Sequence, residues 1–211
     1  MPNQDEHLDA SGISRRGFLK GVGAASAATA LLTGAQEMKE AAAQAAAPAE
    51  MGPGNVTIML DVNGIQHKVE VEPRVTLLDA LRNRLDLTGT KKVCDRGTCG
   101  ACTCMVDGDL AYSCSMLAVE AVGRKITTIE GLGTPDKLSD IQKAFIEHDA
   151  LQCGFCTPGF VMATTAFVKA HPNATLEEVR KGMGGNLCRC GTYAGITQVA
   201  LGTPAYVKGG A

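Results

Sequence analysis

Two rhythms of apolar and polar residues follow one another along the chain. The first belongs to strands. Residues 56–60 and 66–71 are strand-like, and Asp61-Val62-Asn63-Gly64 between them supplies a turn, Asn-Gly being a strong hairpin signal. Pro73 ends the second strand. Thr76 caps a helix with Asp79 three residues on, and Leu77, Leu78, Leu81 and Leu85 fall on one helical face. A loop rich in Gly and Cys occupies 89–102. A strand to Val106, an Asp107-Gly108 turn, a strand through Tyr112 and a late strand at 125–129 follow. Strand, strand, helix, loop, strands is the order of a β-grasp ferredoxin fold.

After a Gly- and Pro-bearing linker at 131–135 the rhythm turns helical. Ile141, Phe145 and Ile146 share a face. Thr157-Pro158 places a cap residue before Pro at the first helical position, and Phe160, Val161, Thr164 and Phe167 continue that helix. Thr175 and Glu178 form a capping box, Gly184-Gly185-Asn186 breaks the helix it starts, and Ile196, Val199 and Ala200 suggest a fourth. The predicted class is α+β: a β-grasp domain over 54–131, then an all-α helical bundle over 132–211.

Residues 1–50 fit neither rhythm. A polar start leads to Ser14-Arg15-Arg16-Gly17-Phe18-Leu19-Lys20, then a weakly apolar run at 21–35 and an Ala-rich stretch to Pro48. The run is too short to span a bilayer, which takes roughly 20 apolar residues. Ala43-Gln44-Ala45 has the small-x-small form that signal peptidase cuts. The segment resembles a bacterial twin-arginine (Tat) signal followed by an Ala-rich linker, and predicts periplasmic localisation. That route carries folded proteins, which hints at a cofactor inserted before export.

Composition removes several function classes. The 211 residues carry 20 Lys and Arg against 22 Asp and Glu, a net charge of -2, so no basic excess steers the chain onto nucleic acid. Hydrophobic content of 45% is that of a folded chain, and no second apolar stretch predicts a stable membrane span. The length is too small for a flavin domain in addition to whatever the cysteines build. No Ser/His/Asp set, dinucleotide fingerprint or paired histidine ligands are present. His7, His67, His148 and His171 read as tail or surface residues.

Cysteine carries the chemistry. There are nine, an odd number that excludes complete intramolecular disulfide pairing. Cys94, Cys99 and Cys102 form C-x4-C-x2-C, with Cys114 further on, the plant-type [2Fe-2S] spacing. Gly97 and Gly100 let backbone amides approach the sulfurs, and Lys91, Lys92 and Arg96 stand where they would offset negative charge. Structural zinc more usually takes two short C-x2-C pairs. The second set, Cys153, Cys156, Cys188 and Cys190, is less decisive by spacing alone. Zinc, a redox-active disulfide and a second cluster all remain open for it.

The motifs around these cysteines resemble the small iron–sulfur subunit of the xanthine oxidase family of molybdenum hydroxylases. They are Gly89-Thr90-Lys91-Lys92, Cys99-Gly100-Ala101-Cys102-Thr103, Thr128-Ile129-Glu130-Gly131-Leu132, 152–159 (Gln-Cys-Gly-Phe-Cys-Thr-Pro-Gly) and 185–190 (Gly-Asn-Leu-Cys-Arg-Cys). The layout is most similar to the Tat-exported subunit of periplasmic aldehyde oxidoreductases. The resemblance implies two [2Fe-2S] clusters, one on Cys94, Cys99, Cys102 and Cys114, the other on Cys153, Cys156, Cys188 and Cys190. It also implies contact of Gln152 and Cys190 with the pterin of a molybdenum cofactor held by a large partner subunit. Aldehyde or N-heterocycle hydroxylation would take place on that partner. This chain would relay electrons to a FAD subunit or an external acceptor.

Two positions depart from the family pattern. Val93 precedes Cys94 where Gly is common, and Cys104 stands where an apolar residue is usual, which predicts a small buried thiol outside both sets. The rival readings are a free-standing two-cluster ferredoxin and a secreted disulfide or zinc protein.

Overall fold

The computed structural model describes residues 52–202. The proposed export segment, the first 50 residues, lies outside them, as do the last nine residues. Strands β1 (Val56–Val62) and β2 (Ile65–Val71) form an antiparallel hairpin in which Val56 faces Val71 and Val62 faces Ile65. Asn63 and Gly64 turn it with φ of 54° and 78°, as the Asn-Gly pair predicts. Helix α1 (Leu77–Arg84) follows, then β3 (Thr103–Val106), β4 (Asp109–Tyr112) and β5 (Lys125–Thr127). The sheet order is β2-β1-β5-β3-β4, with β5 parallel to β1 and antiparallel to β3. This is the β-grasp arrangement.

Alternation places Ile58, Leu60 and Val62 of β1 beneath α1, with Val69 and Val71 of β2 beside them, while Met59 points outward. Thr76 starts the helix as expected, its hydroxyl accepting from the Asp79 amide at 3.1 Å. The leucines of α1 do not act as one face. Leu77 and Leu81 complete the sheet core, with Leu85 partly buried against it, whereas Leu78 packs on Cys102 and Cys114. One helix therefore supports both the sheet and the first cysteine loop.

The late strand is shorter than 125–129. It ends at Thr127, and Ile129–Gly131 forms a single 3-10 turn. Asn63 stops the strand: its side chain accepts from the Thr128 amide at 2.9 Å and donates to the Thr128 hydroxyl at 3.0 Å. Glu130 then accepts from the Gly89 amide at 2.8 Å. A β-carbon on Gly131 would collide with Asn63. The start of the linker is thus fastened to the hairpin turn and to the entry of the cysteine loop.

Four helices follow: α2 (Asp140–Glu147), α3 (Thr157–Ala170), α4 (Leu176–Gly182) and α5 (Tyr193–Gly202). Their core comprises Phe145, Phe160, Val161, Phe167, Val179 and Ile196, with smaller residues between them. The Thr175–Glu178 capping box is present. Two helical expectations need correction. Ile146 is 60% exposed, so only Ile141 and Phe145 of its trio face the core. Thr157 does not cap α3; it is the first helical residue, Cys156 occupies the cap, and the Thr157 hydroxyl is buried without a partner. Among the described residues no helix is long and apolar enough to cross a membrane.

Candidate metal centres

The first cysteine loop coils because three of its residues take left-handed backbone: Asp95, Gly97 and Gly100, with φ of 55°, 68° and 69°. Val93, the departure noted above, does not need that conformation; Asp95 takes it. The coil turns amides toward sulfur. Gly97 N–H donates to Cys114 Sγ at 3.2 Å and Thr98 N–H to Cys94 Sγ at 3.4 Å. Gly97 has no room for a side chain, since a β-carbon there would lie 2.7 Å from the Ser115 hydroxyl. Cys114 arrives on the 3-10 turn Ser113–Ser115, which Ser113 ties back by donating from its hydroxyl to the Cys102 carbonyl at 2.8 Å.

The thiols of this set act on one another, Cys99 on Cys94 and both Cys114 and Cys99 on Cys102. The Thr98 hydroxyl, helped by the loop amides, lowers the Cys94 thiol to about 6. Burial pushes Cys102 up to about 12. The positive charge expected around the loop is partly committed elsewhere. Lys92 bridges Asp79 at 2.9 Å and Asp95 at 3.1 Å, and Lys91 donates to the Thr88 carbonyl. Arg96 remains exposed beside the loop.

The second set is built from two loops. Cys153 and Cys156 precede α3, with Gly154 at φ 81°. Cys188 and Cys190 lie between α4 and α5, with Gly191 at φ 87°. The thiols of this set also act on one another: the Cys190 side chain helps lower Cys153 and the Cys188 side chain helps raise Cys156. Burial pushes Cys156 up to about 12. Burial also opposes ionisation of Cys188, but the Thr192 hydroxyl, 3.1 Å from its sulfur, and neighbouring amides outweigh it and bring the thiol to about 7. The Tyr193 hydroxyl accepts from the Cys188 amide at 2.8 Å and fixes the loop against α5. The Phe155 amide lowers Cys153. For Cys190 the backbone contact with Cys153 works downward, but the Cys153 thiol and its charge prevail and raise it.

Backbone amides aimed at sulfur and left-handed residues at the bends match the cradle of an anionic iron–sulfur centre held by cysteine thiolates. The donor set and the cradle therefore fit [2Fe-2S] clusters.

The chain also matches known proteins. Residues 60–125 match the family model of the 2Fe-2S iron-sulfur cluster binding domain, and residues 128–201 that of the [2Fe-2S] binding domain. The aldehyde oxidoreductase iron-sulfur-binding subunit PaoA of Escherichia coli (strain K12) is 45% identical over 199 residues, covering 87% of this chain and 85% of PaoA. This chain belongs to the iron–sulfur subunits of the xanthine oxidase family. The nicotine 6-hydroxylase small subunit of Paenarthrobacter nicotinovorans is 47% identical over 152 residues, covering 72% of this chain and 92% of that one. Among solved structures, quinoline 2-oxidoreductase from Pseudomonas putida 86 superposes with a TM-score of 0.70 at 43% identity, over 73% of this chain and 94% of the matched chain. This xanthine oxidase family subunit is therefore part of a molybdenum-dependent oxidoreductase, with two [2Fe-2S] clusters among its cofactors.

The remaining cysteine of the family subunit, Cys104, is fully buried in the sheet core, apart from both sets. Gln152 and Cys190 are exposed, and Phe155, Leu187 and Tyr193 nearby are large apolar side chains left 43–55% open. Sequence reasoning passed over the hydroxyls that tune the thiols. Thr98 is embedded in the first spacing and Thr192 lies two residues past the last cysteine, so neither stands out without the fold.

Proposed function

We propose that Cys94, Cys99, Cys102 and Cys114 hold one cluster and that Cys153, Cys156, Cys188 and Cys190 hold the other. The backbone amides of Gly97 and Thr98 that donate to the Cys114 and Cys94 sulfurs, with the ninth cysteine in the core, carry this reading. Each [2Fe-2S] centre supplies a site that stores and passes one electron. The protein's own task is to hold the thiolates, donate amide and hydroxyl hydrogen bonds to sulfur, and keep the two sets close. The boundary between the β-grasp and helical domains falls near residue 131.

In this reading the chain is the electron relay of its assembly. The second set faces the large subunit that carries the molybdenum cofactor, where an aldehyde or N-heterocycle is oxidised. Its exposed thiols Cys153 and Cys190 and the apolar rim of Phe155, Leu187 and Tyr193 form a face suited to burial against that subunit. Gln152 and Cys190 contact the pterin there. The first set, with more buried sulfurs, delivers electrons to a FAD subunit or an external acceptor. Export by the twin-arginine route places the assembly in the periplasm, a reading that rests on the Arg15-Arg16 motif.

The decisive experiment is purification of the tagged chain from its native host. The expected preparation contains a molybdenum subunit, about four iron atoms and four labile sulfides per chain, and two distinct reduced-cluster EPR signals. A chain that purifies alone with both clusters intact would favour the free ferredoxin and overturn the relay reading. Replacing Arg15 and Arg16 with Lys should retain the protein in the cytoplasm; unchanged export refutes the twin-arginine assignment.

A further inference from the structure

Three consecutive residues just before Cys188 are each tied to the first cysteine loop or to the β3–β4 hairpin that follows it. The Gly185 carbonyl accepts from the Tyr112 hydroxyl at 2.7 Å. The Asn186 side-chain amide donates to the Gly100 carbonyl at 2.8 Å and to the Thr103 hydroxyl at 3.2 Å. The Leu187 amide donates to the Cys99 carbonyl at 2.9 Å. The anchors on the far side are therefore a cysteine of the first set, the residue after it, the residue following Cys102, and Tyr112, two residues before Cys114.

Asn186 is the side chain at the centre of this seam. It is only 6% exposed, and its two N–H bonds meet two acceptors that already belong together, since the Thr103 hydroxyl itself donates to the Gly100 carbonyl at 2.6 Å. The seam is also closed sterically. A β-carbon on Gly100 would lie 2.5 Å from the Asn186 amide nitrogen and 2.7 Å from the Gly185 carbonyl, and one on Gly159 would strike the Gly100 carbonyl. No other side chain type fills the position equally. Aspartate would set a carboxylate against the Gly100 carbonyl, and leucine has the size but no donor.

The consequence concerns the relation of the two sets. Cys99 and Cys188 are separated along the seam by one hydrogen bond and one peptide unit. Electronic coupling falls exponentially with the length of such a path and is weakened by any through-space jump. The bond from Leu187 to Cys99 is flanked on one side by Asn186 gripping Gly100, so the grip limits how far that bond can open.

We propose that Asn186 is the positioning residue that fixes the spacing of the two cysteine loops and thereby sets the electronic coupling between the clusters they hold. This rests on the ligand assignment above and goes beyond it by naming a residue that touches neither cluster's thiols. The role is one of geometry, and it differs from a contribution to folding because it predicts a change in coupling at full cluster content.

The test uses the intact complex carrying Asn186→Leu. Iron content and the separate EPR signals establish loading. The magnetic splitting seen when both clusters are reduced, and the rate of electron equilibration between them after rapid reduction, report coupling. The expected result is full iron content, altered splitting and equilibration slowed several-fold. Wild-type splitting and rate in a fully loaded variant overturn the proposal. Thr103→Ala, which removes one of the two Asn186 acceptors and leaves the other, gives a second route if Asn186→Leu does not load. It should show the same changes to a smaller degree, and unaltered coupling there also overturns the proposal. Absence of two cluster signals in the unmutated complex would instead refute the ligand assignment.

Discussion

Replacing Cys104 separates its two conceivable roles. It lies on β3 two residues after Cys102, faces Ala111 across the β3–β4 ladder, and is fully buried among sheet-core side chains. Burial pushes its thiol up to about 12, and its place in the sheet core sets it apart from both cysteine sets. As a small apolar core residue it should tolerate Ala at a cost of about 1 kcal/mol for the lost sulfur. Ser has nearly the same shape but brings a hydroxyl into a site where sheet-core side chains surround it, which costs about 1–3 kcal/mol if no acceptor is found. For a chain of this size each kcal/mol corresponds to a fall in Tm of roughly 2–4 °C. The assay is iron per chain together with thermal unfolding of the loaded protein. Full iron content in both variants, with Ser less stable than Ala, is expected. Loss of about two irons from Cys104→Ala would show that the ninth cysteine serves a cluster, and the division into two sets of four would fail.

Gly159→Ala drives a methyl into the Gly100 carbonyl; overpacking of this kind costs about 1–3 kcal/mol, and it should lower Tm and disturb the first cluster's EPR signal, although residue 159 adjoins the second set. Thr175→Ala removes the acceptor for the Glu178 amide and should cost about 1 kcal/mol with both clusters retained, read by denaturant unfolding. Asp107 is held below the usual carboxylate range by the Arg124 guanidinium and the Lys125 amide. Its contribution is therefore fully present above about pH 4 and lost as pH falls through the depressed value. Asp107→Asn should flatten that part of the acid limb of stability, and an unchanged pH profile would refute the assignment.

The sequence made the elements legible where one local rule decided them. Asn63-Gly64 and Asp107-Gly108 both demand positive φ and both turn hairpins, and Thr76 and Thr175 both cap helices by their side chains. It was less legible where tertiary contacts overrode the local rule. Thr157-Pro158 looked like a cap and a first turn, but the cysteine loop enters the helix one residue earlier, so Cys156 takes the cap. The strand expected to reach residue 129 stops at Thr127 because Asn63, 65 residues away, captures Thr128. Ser139 and Gln142 form a capping box whose two polar residues stand apart from the apolar periodicity beside them.

The same contrast applies to the cysteines. Spacing alone pointed to the first set because all but one of its thiols come from a single loop, whose geometry is local. The second set left zinc and disulfide open because its two pairs lie more than thirty residues apart, and their meeting is a property of the bundle. What neither spacing contained is the seam between the sets. Gly184-Gly185-Asn186 reads in sequence as a helix breaker, yet Gly185, Asn186 and the following Leu187 place polar groups on Tyr112, Gly100, Thr103 and Cys99. The chain just past the end of α4 thus joins the two halves, with Asn186 and Leu187 donating to the first cysteine loop. Glycine in place of Asn186 would leave the helix end at Gly182 as it is but would take away the seam's side-chain donor. Asn186→Gly should accordingly preserve the end of α4 while loosening the approach of the two loops, a separation that hydrogen exchange at the Leu187 amide measures directly; exchange as slow as in the wild type would show that the backbone bond holds without its side-chain support.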